Sequence, residues 1–444
     1  MTKLTKTIEF GFYLFLFLLP WQTRLIWHDA FLNHYVWEYG RFSLYGSELV
    51  LWFVLLLFMV WLFKNYRFTQ FDLGRIWQRL KNPLVLSHWL LVIFLLFAGL
   101  SIFWSIDPGL AYYQWFRLLE GAALFSLVLL FHFSLKRIAL VWVATAAVQG
   151  VFAIEQFFTQ YIFANKWLGL AEHFSTLAGS IILQTDTERW LRAYGSLPHP
   201  NILAGFLVLA LIFLFYLVIT AQTRFERFFV LFSLVLILPA LFFTFSRSAW
   251  IAFILSLVFF GGWLWRRRDY QSLKIFSKFL LITVLIITIL MVMFFEPVKT
   301  RIVGEQDLEV ASIYLRMEFN KQAWEIIQQR PWLGVGTGNY TLGVYDFVNK
   351  TWPGYYYQPV HNLFLLIGAE LGLVALLIFL AALILLLYLS IRRLDSLAGL
   401  TTFLALLSVL VISLFDHYFW TLYFGLIIFW LVLALNLKQS SAAE

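Results

Sequence analysis

Runs of about twenty consecutive apolar residues recur along this chain, and each is long enough to cross roughly 30 Å of hydrocarbon as a helix. A segment in hydrocarbon must satisfy its own backbone hydrogen bonds, so repeated runs of this length dictate a bundle of spanning helices. Composition agrees: 62% of the 444 residues are hydrophobic, only 13% are charged, and mean hydropathy is +0.83. Aromatics at 20% suit Trp and Tyr placed at both membrane interfaces. The expected fold class is an all-α polytopic integral membrane protein in a lipid bilayer. Cysteine is absent, which excludes disulfides and thiolate chemistry. The net charge of +8 does not imply nucleic acid, because Lys and Arg gather in the cytoplasmic loops of such proteins.

About twelve transmembrane helices are expected, near residues 8–27, 45–63, 84–104, 111–133, 138–158, 199–220, 228–245, 249–265, 275–295, 361–389, 397–415 and 418–437. Lys3 and Lys6 precede the first run, and no small-residue cleavage site follows it, so it reads as a retained helix. One alternating set of connections holds Lys3, Lys6, Lys64, Arg67, Arg75, Arg79, Lys81, Lys136, Arg137, Arg224, Arg227, Arg266, Arg267, Arg268, Lys274, Lys278, Arg392, Arg393 and Lys438. That is more than half of the 32 basic residues. The positive-inside rule places this set, and both termini, in the cytoplasm. The chain then divides into 1–295, with nine spans and an outer loop at about 159–198; a large outer loop at 296–360; and 361–444, with three spans and a short tail. Outer loops of this size usually carry function. Within the larger one, residues 309–329 place Ile313, Met317, Trp324 and Ile327 on one helical face, opposite Glu318, Lys321 and Glu325, until Pro331. This helix should lie on the bundle or in the interface plane.

A cation at membrane depth is costly unless paired, and four arginines stand at the outer side. Arg247 occupies the very short Phe245-Ser246-Arg247-Ser248 turn. Arg316 lies on the loop helix, turned away from its acidic face. Arg192 precedes Pro198-His199-Pro200-Asn201, and Arg24 closes the first span. Arg117 and Glu120, three apart within the fourth span, read instead as an internal ion pair. Guanidinium is always charged and its planar fork matches phosphate oxygens, so the outer group suits a diphosphate. His361, in Val360-His361-Asn362, ends the large outer loop and opens the tenth run. It suits either a helix-capping His or an imidazole held at the mouth of the bundle. Gly368, Gly372 and Ala375 fall near its helical stripe, where small residues let another helix approach.

Other patterns are weaker. Gly334-x-Gly336-x-Gly338 lacks the Lys-Ser/Thr and βαβ context of a phosphate loop and reads as a turn after Pro331. His34 and Glu38 have helical metal spacing but stand as a lone pair. Asp416-His417, in the last outer turn, offers a carboxylate to a neighbour. The outer loops contain no Asp-x-Asp, and no Gly-x-Ser-x-Gly signature is present.

These features together resemble the bacterial O-antigen ligases, a family in a superfamily with O-antigen polymerases and protein O-oligosaccharyltransferases. The resemblance is carried by His361-Asn362 with Gly372 (Ala375 departs from the pattern), the Ser246-Arg247 turn, Arg192 with Pro200-Asn201, and Pro331-x-x-Gly334-x-Gly336. It implies a GT-C-like architecture at the bacterial inner membrane. The implied activity is metal-independent, inverting glycosyl transfer at the periplasmic face, with no cofactor. The implied donor is an undecaprenyl-diphosphate-linked glycan, and the acceptor a sugar hydroxyl of lipid A–core. In that scheme His361 is the general base. Arg192, Arg247 and Arg316 bind the diphosphate with Arg24 as a weaker member, and Asn362 and Asp416 orient the imidazole. A polymerase or protein glycosyltransferase differs only in acceptor. A lipid-linked sugar transporter would need polar residues near mid-bilayer, and these spans show few.

Overall fold

Side-chain caps mark where most of the helices begin. The computed structural model describes residues 2–65, 82–304 and 306–441. Arg67, Arg75, Arg79 and Lys81 of the basic set, and residues 442–444 of the tail, lie outside them. In chain order the principal elements are α1 (Lys3–Leu18), β1 (Arg24–His28), β2 (Phe31–Leu32), β3 (Tyr35–Val36), β4 (Phe42–Tyr45), α2 (Gly46–Asn65), α3 (Pro83–Leu100), α4 (Pro108–Leu130) and α5 (Leu135–Thr159). Then come β5 (Tyr161–Ile162), β6 (His173–Phe174), β7 (Ile182–Gln184), β8 (Arg189–Leu191), α6 (Pro200–Thr220), α7 (Arg224–Phe243), α8 (Arg247–Arg266), α9 (Tyr270–Met293), α10 (Phe295–Val303) and α11 (Asp307–Gln329). The chain closes with α12 (Tyr340–Phe347), α13 (Leu363–Ile391), α14 (Leu397–Ser413), α15 (Tyr418–Thr421) and α16 (Tyr423–Ser441). Asn82, Asp107, Ser134, Thr223, Asp269, Asn362 and Ser396 each accept a backbone N–H of the first turn that follows. These caps satisfy amides that would otherwise be left without partners at the helix starts.

A helix lies at each of the twelve expected positions. Among the described residues eight are long and apolar enough to cross a membrane: α2, α3 with the turn after it, α5, α6, α7, α8, α9 and α13. Four fall short. Helix α1 stops at Leu18 and the chain turns into β1, so the first run is shorter than 8–27. Helix α4 carries Arg117 and Glu120 in its interior, and α14 and α16 are shorter apolar helices. The last run is also broken, with α15 separated from α16 at Leu422. The connections at the other ends of these helices are not wholly helical: four two-stranded antiparallel sheets (β1–β4, β2–β3, β5–β6 and β7–β8) build them. Short hairpins let a connection satisfy its backbone without another helix.

Helix α6 is the axis of the bundle. Ile202 through Phe215 are all buried, and the helix packs against α5, α7, α8, α9 and α14. By contrast α2, α8 and α9 present large apolar side chains outward, among them Phe53, Val258 and Val292, which suits a lipid-facing surface. Arg117 forms the expected pair with Glu120 at 3.2 Å and a second with Glu48 at 2.5 Å. Three tyrosine rings, of Tyr45, Tyr113 and Tyr423, face the same guanidinium.

Two expectations change. Helix α11 buries Ala323, Ile326 and Ile327, while Ile313, Met317 and Trp324 are exposed. Its apolar docking is at the C-terminal part, with Ile327 against Gly368 of α13, while Glu309 in the first turn is buried against Arg301. His361 does not share a helical stripe with Gly368 and Gly372: it precedes Asn362, the N-cap of α13.

Candidate active site

The site begins at a break in α13. Gly372 adopts φ 77, ψ 174 inside the helix, a conformation open in practice only to glycine. The break leaves carbonyls of the preceding turn without helical partners, and the Pro331–Gly338 segment supplies donors. Val335 N–H donates to the Ala369 carbonyl at 3.1 Å and Gly336 N–H to that of Glu370 at 2.8 Å, while Leu373 N–H donates to the Pro331 carbonyl at 2.7 Å. A Cβ on Gly372 would sit 2.2 Å from the Trp332 carbonyl oxygen, and one on Gly334 would sit 2.3 Å from that of Glu370. Gly334 therefore serves close backbone docking onto α13, while Gly336 lies against Ser105 and Gly338 against Gln114 of α4. The backbone hydrogen bonds hold the end of the large loop against the helix that His361 precedes.

Asn362 caps that helix, accepting from Phe364 and Leu365 N–H at 3.0 Å each, and its amide donates to the Leu414 carbonyl at 3.2 Å. It thus binds the turn that carries Asp416 rather than touching the imidazole. His361 Nδ1 lies 3.8 Å from Asp416 Oδ1 and has no hydrogen-bond partner among the described residues; the side chain is 27% exposed. Asp416 Oδ1 also accepts the His417 N–H at 2.9 Å. Burial works against the Asp416 charge, but the imidazole of His361 and those of His417 and His199 outweigh it and hold the carboxyl below its ordinary range. His417 is buried, with Nδ1 2.8 Å from Thr421 Oγ1, and burial pushes it down to about 3. Its ring centre stands 5.0 Å from that of His361.

Arginines gather on one side of this pair. The Thr244–Ser246 turn organises them: Thr244 O accepts from Arg192 Nε at 2.6 Å and Phe245 O from Arg301 Nε at 2.9 Å. Phe245 has φ 48, a left-handed backbone uncommon for an aromatic residue. Arg247, next along, reaches Glu309 at 3.5 Å, and Arg301 reaches the same carboxylate at 2.5 Å. Arg316, half-buried on α11, has no hydrogen-bond or ion-pair partner among the described residues and lies within electrostatic reach of Asp416, Arg301 and Glu309. Arg192 is buried with neutral partners only: Thr244 O and, at 2.7 Å, Asn201 Oδ1. Burial first, then the charges of Arg301 and Arg316, push it down to about 9. Among the described residues, four guanidiniums thus have two carboxylates nearby: Glu309, in contact with Arg247 and Arg301, and Asp416, within electrostatic reach of Arg316. Such an excess of buried positive charge is stabilised by a bound anion.

On the other side of His361 opens a cavity of about 780 Å³, lined by Arg24, Tyr39, His199, Gln358, His361 and Asp416 among others. Arg24 is not with the arginine group: it pairs with Glu38 at 2.7 Å on the far cavity wall. Glu38 also pairs with Arg41 at 2.9 Å, so it is committed to cations rather than to His34. The ligand atoms of His361, Asp416 and His417 lie within 4.8 Å of one another, a set that could take a transition metal. Tetrahedral zinc, at about 2.0–2.1 Å from nitrogen, needs donors roughly 3.3 Å apart, so these side chains would have to close.

Residues 232–380 match the family model described as O-antigen ligase. Over this segment, about a third of the chain, the protein is similar to the O-antigen ligase family. No curated protein matches it. The O-antigen ligase segment holds Arg247, Arg301, Glu309, Arg316 and His361, whereas Arg24, Arg192, Asn201 and Asp416 lie outside it and reach the site through the fold. The matched segment is similar to a family of the ligase/polymerase superfamily, and the long apolar helices are compatible with a membrane protein. Arg301 and Glu309 are site residues that sequence reasoning missed, and Asn201, His199 and His417 stood in motifs it quoted without assigning them a role. The signals were faint: Arg301 closes a short amphipathic helix, and His417 adjoins Asp416.

Proposed function

We propose that this protein is an O-antigen ligase: a metal-independent, inverting glycosyltransferase acting at the periplasmic face of the inner membrane. The donor is a glycan on undecaprenyl diphosphate, the acceptor a sugar hydroxyl of lipid A–core. One observation carries the reading: the His361–Asp416 pair stands between an under-neutralised arginine cluster and a cavity able to hold a sugar. His361 removes the acceptor hydroxyl proton as that oxygen attacks the anomeric carbon, and Asp416 stabilises the imidazolium formed. The bond from the anomeric carbon to the diphosphate oxygen breaks. Arg192, Arg316, Arg247 and Arg301 stabilise the charge that gathers on the leaving diphosphate. Arg24, held by Glu38, belongs to the cavity wall and contacts the acceptor side.

The experiment is a transfer assay on the purified protein. Undecaprenyl-diphosphate glycan is supplied with lipid A–core, and separately with a second donor molecule as the acceptor. The ligase reading expects product on lipid A–core that is lost in His361→Ala. Elongated donor with no lipid A–core product would make the protein a polymerase of the same superfamily. No transfer to either acceptor would contradict the enzyme reading.

A further inference from the structure

We propose that Asn201 is a positioning residue that ties occupancy of the diphosphate site to the placement of the base; the inference rests on the function proposed above. Asn201 is buried at the first turn of α6, between two charged groups assigned to different parts of the reaction. Arg192 Nη2 donates to its Oδ1 at 2.7 Å, and its Nδ2 donates to Asp416 Oδ2 at 3.1 Å. Asp416 Oδ1 in turn faces His361 Nδ1 at 3.8 Å. The chain of contacts runs from a phosphate-binding guanidinium to the imidazole through one amide.

The amide is the group this position requires. A guanidinium only donates and a carboxylate only accepts, so the side chain between them must accept at one end and donate at the other. That requirement also fixes the orientation of the amide, oxygen toward Arg192 and nitrogen toward Asp416. A carboxylate here would meet Arg192 but repel Asp416, and an apolar side chain would leave two buried polar groups unpaired. The backbone is set as well. His199 Nδ1 accepts the Asn201 N–H at 3.0 Å, and Pro200 opens the helix with its φ already helical. When diphosphate draws Arg192 toward itself, the displacement passes through Asn201 to Asp416, whose second oxygen then approaches the imidazole. The 3.8 Å separation closes toward hydrogen-bond distance only with donor bound.

The test is a double-mutant cycle in the transfer assay, with donor and acceptor varied. Asn201→Ala should lower kcat about 10- to 100-fold, the scale of an angstrom of misplacement, with the donor KM changed less than about threefold. Asp416→Ala should lower kcat further, and the double variant should lose no more than Asp416→Ala alone, because Asn201 acts through it. Asn201→Ser, whose hydroxyl replaces only part of the bridge, should fall between wild type and Asn201→Ala; it carries the same cycle if the alanine variant fails to fold in detergent. Losses that multiply in the double variant, or an effect confined to KM, would overturn the coupling. A wild type active through His361 with multiplicative losses overturns the coupling alone, whereas a wild type that transfers nothing overturns the function with it.

Discussion

His361 is the one imidazole of the three around Asp416 whose Nδ1 has no partner among the described residues and whose side chain is over a quarter exposed, facing the cavity. His417 has Nδ1 held by Thr421 and is buried, and His199 caps α6. The base role therefore falls to His361, and His361→Ala should lower kcat by about 10²–10⁴-fold in the transfer assay. The arginines separate by their partners. Arg192→Ala and Arg316→Ala should each lower kcat/KM for the donor by on the order of 10²-fold. Arg24→Ala, which removes a cation already neutralised by Glu38, should leave donor kinetics within about threefold. His417 makes a prediction about stability. Burial pushes it down to about 3, so between that value and the ordinary histidine value of about 6.5 the unfolded chain binds a proton that the fold refuses. Stability must then fall as pH falls through that window, by up to about 1.4 kcal/mol per pH unit from this group. Thermal unfolding in detergent between pH 7 and 4.5 should be less acid-sensitive in His417→Gln than in the wild type. An unchanged pH slope would remove His417 as a cause.

The break at Gly372 is the element on which the site depends. It lets α13 change course, and the segment after Pro331 fills the vacant hydrogen bonds. Gly372→Ala combines a backbone conformation costing on the order of 1–3 kcal/mol with a Cβ placed 2.2 Å from the Trp332 carbonyl oxygen. Unfolding in detergent should occur at a distinctly lower temperature than for Gly368→Ala, whose added Cβ meets only side-chain ends, of Ile327 at 3.3 Å and Leu376 at 3.4 Å. Equal melting temperatures would show that the break tolerates a side chain. Small residues near 368, 372 and 375 were legible in the sequence as a place of close approach, but their partner was not. Asn362 is a local signal for a start at Leu363, but Gly372 stands in a run that is apolar on both sides apart from Glu370, and nothing local shows that α13 breaks there. Helix α11 was misread for a related reason: periodicity finds an apolar face, but it does not say how much of the face docks before the helix diverges from the bundle.

At the scale of the molecule, the positions of the helices were readable because apolar runs and caps are local features, and every expected run contains a helix. Lengths were less so. The first run was drawn to residue 27, yet Pro20 and Gln22-Thr23-Arg24 interrupt it, and the chain leaves the helix and pairs Arg24–His28 with Phe42–Tyr45. His361, Arg192, Arg247 and Arg316 stood out because each places a charge or an imidazole beside an apolar run. Glu309 did not, since an acidic residue in a polar loop is ordinary until the fold sets it beside Arg301; Asn201 stood in a motif, but only its place beside Asp416 shows a role.

The central claim is that this assembly transfers a glycan with a base and arginines in place of a metal. The same His361, Asp416 and His417 that frame the base also lie near enough to one another to make a metal reading concrete. Transfer rates should be measured on purified protein with undecaprenyl-diphosphate glycan and lipid A–core, before and after exhaustive EDTA, for the wild type and His361→Gln. The account predicts an unchanged wild-type rate in EDTA and a loss of about 10²-fold or more in His361→Gln under both conditions. A wild-type rate that collapses in EDTA and returns with zinc would contradict it, as would a His361→Gln variant that keeps the wild-type rate.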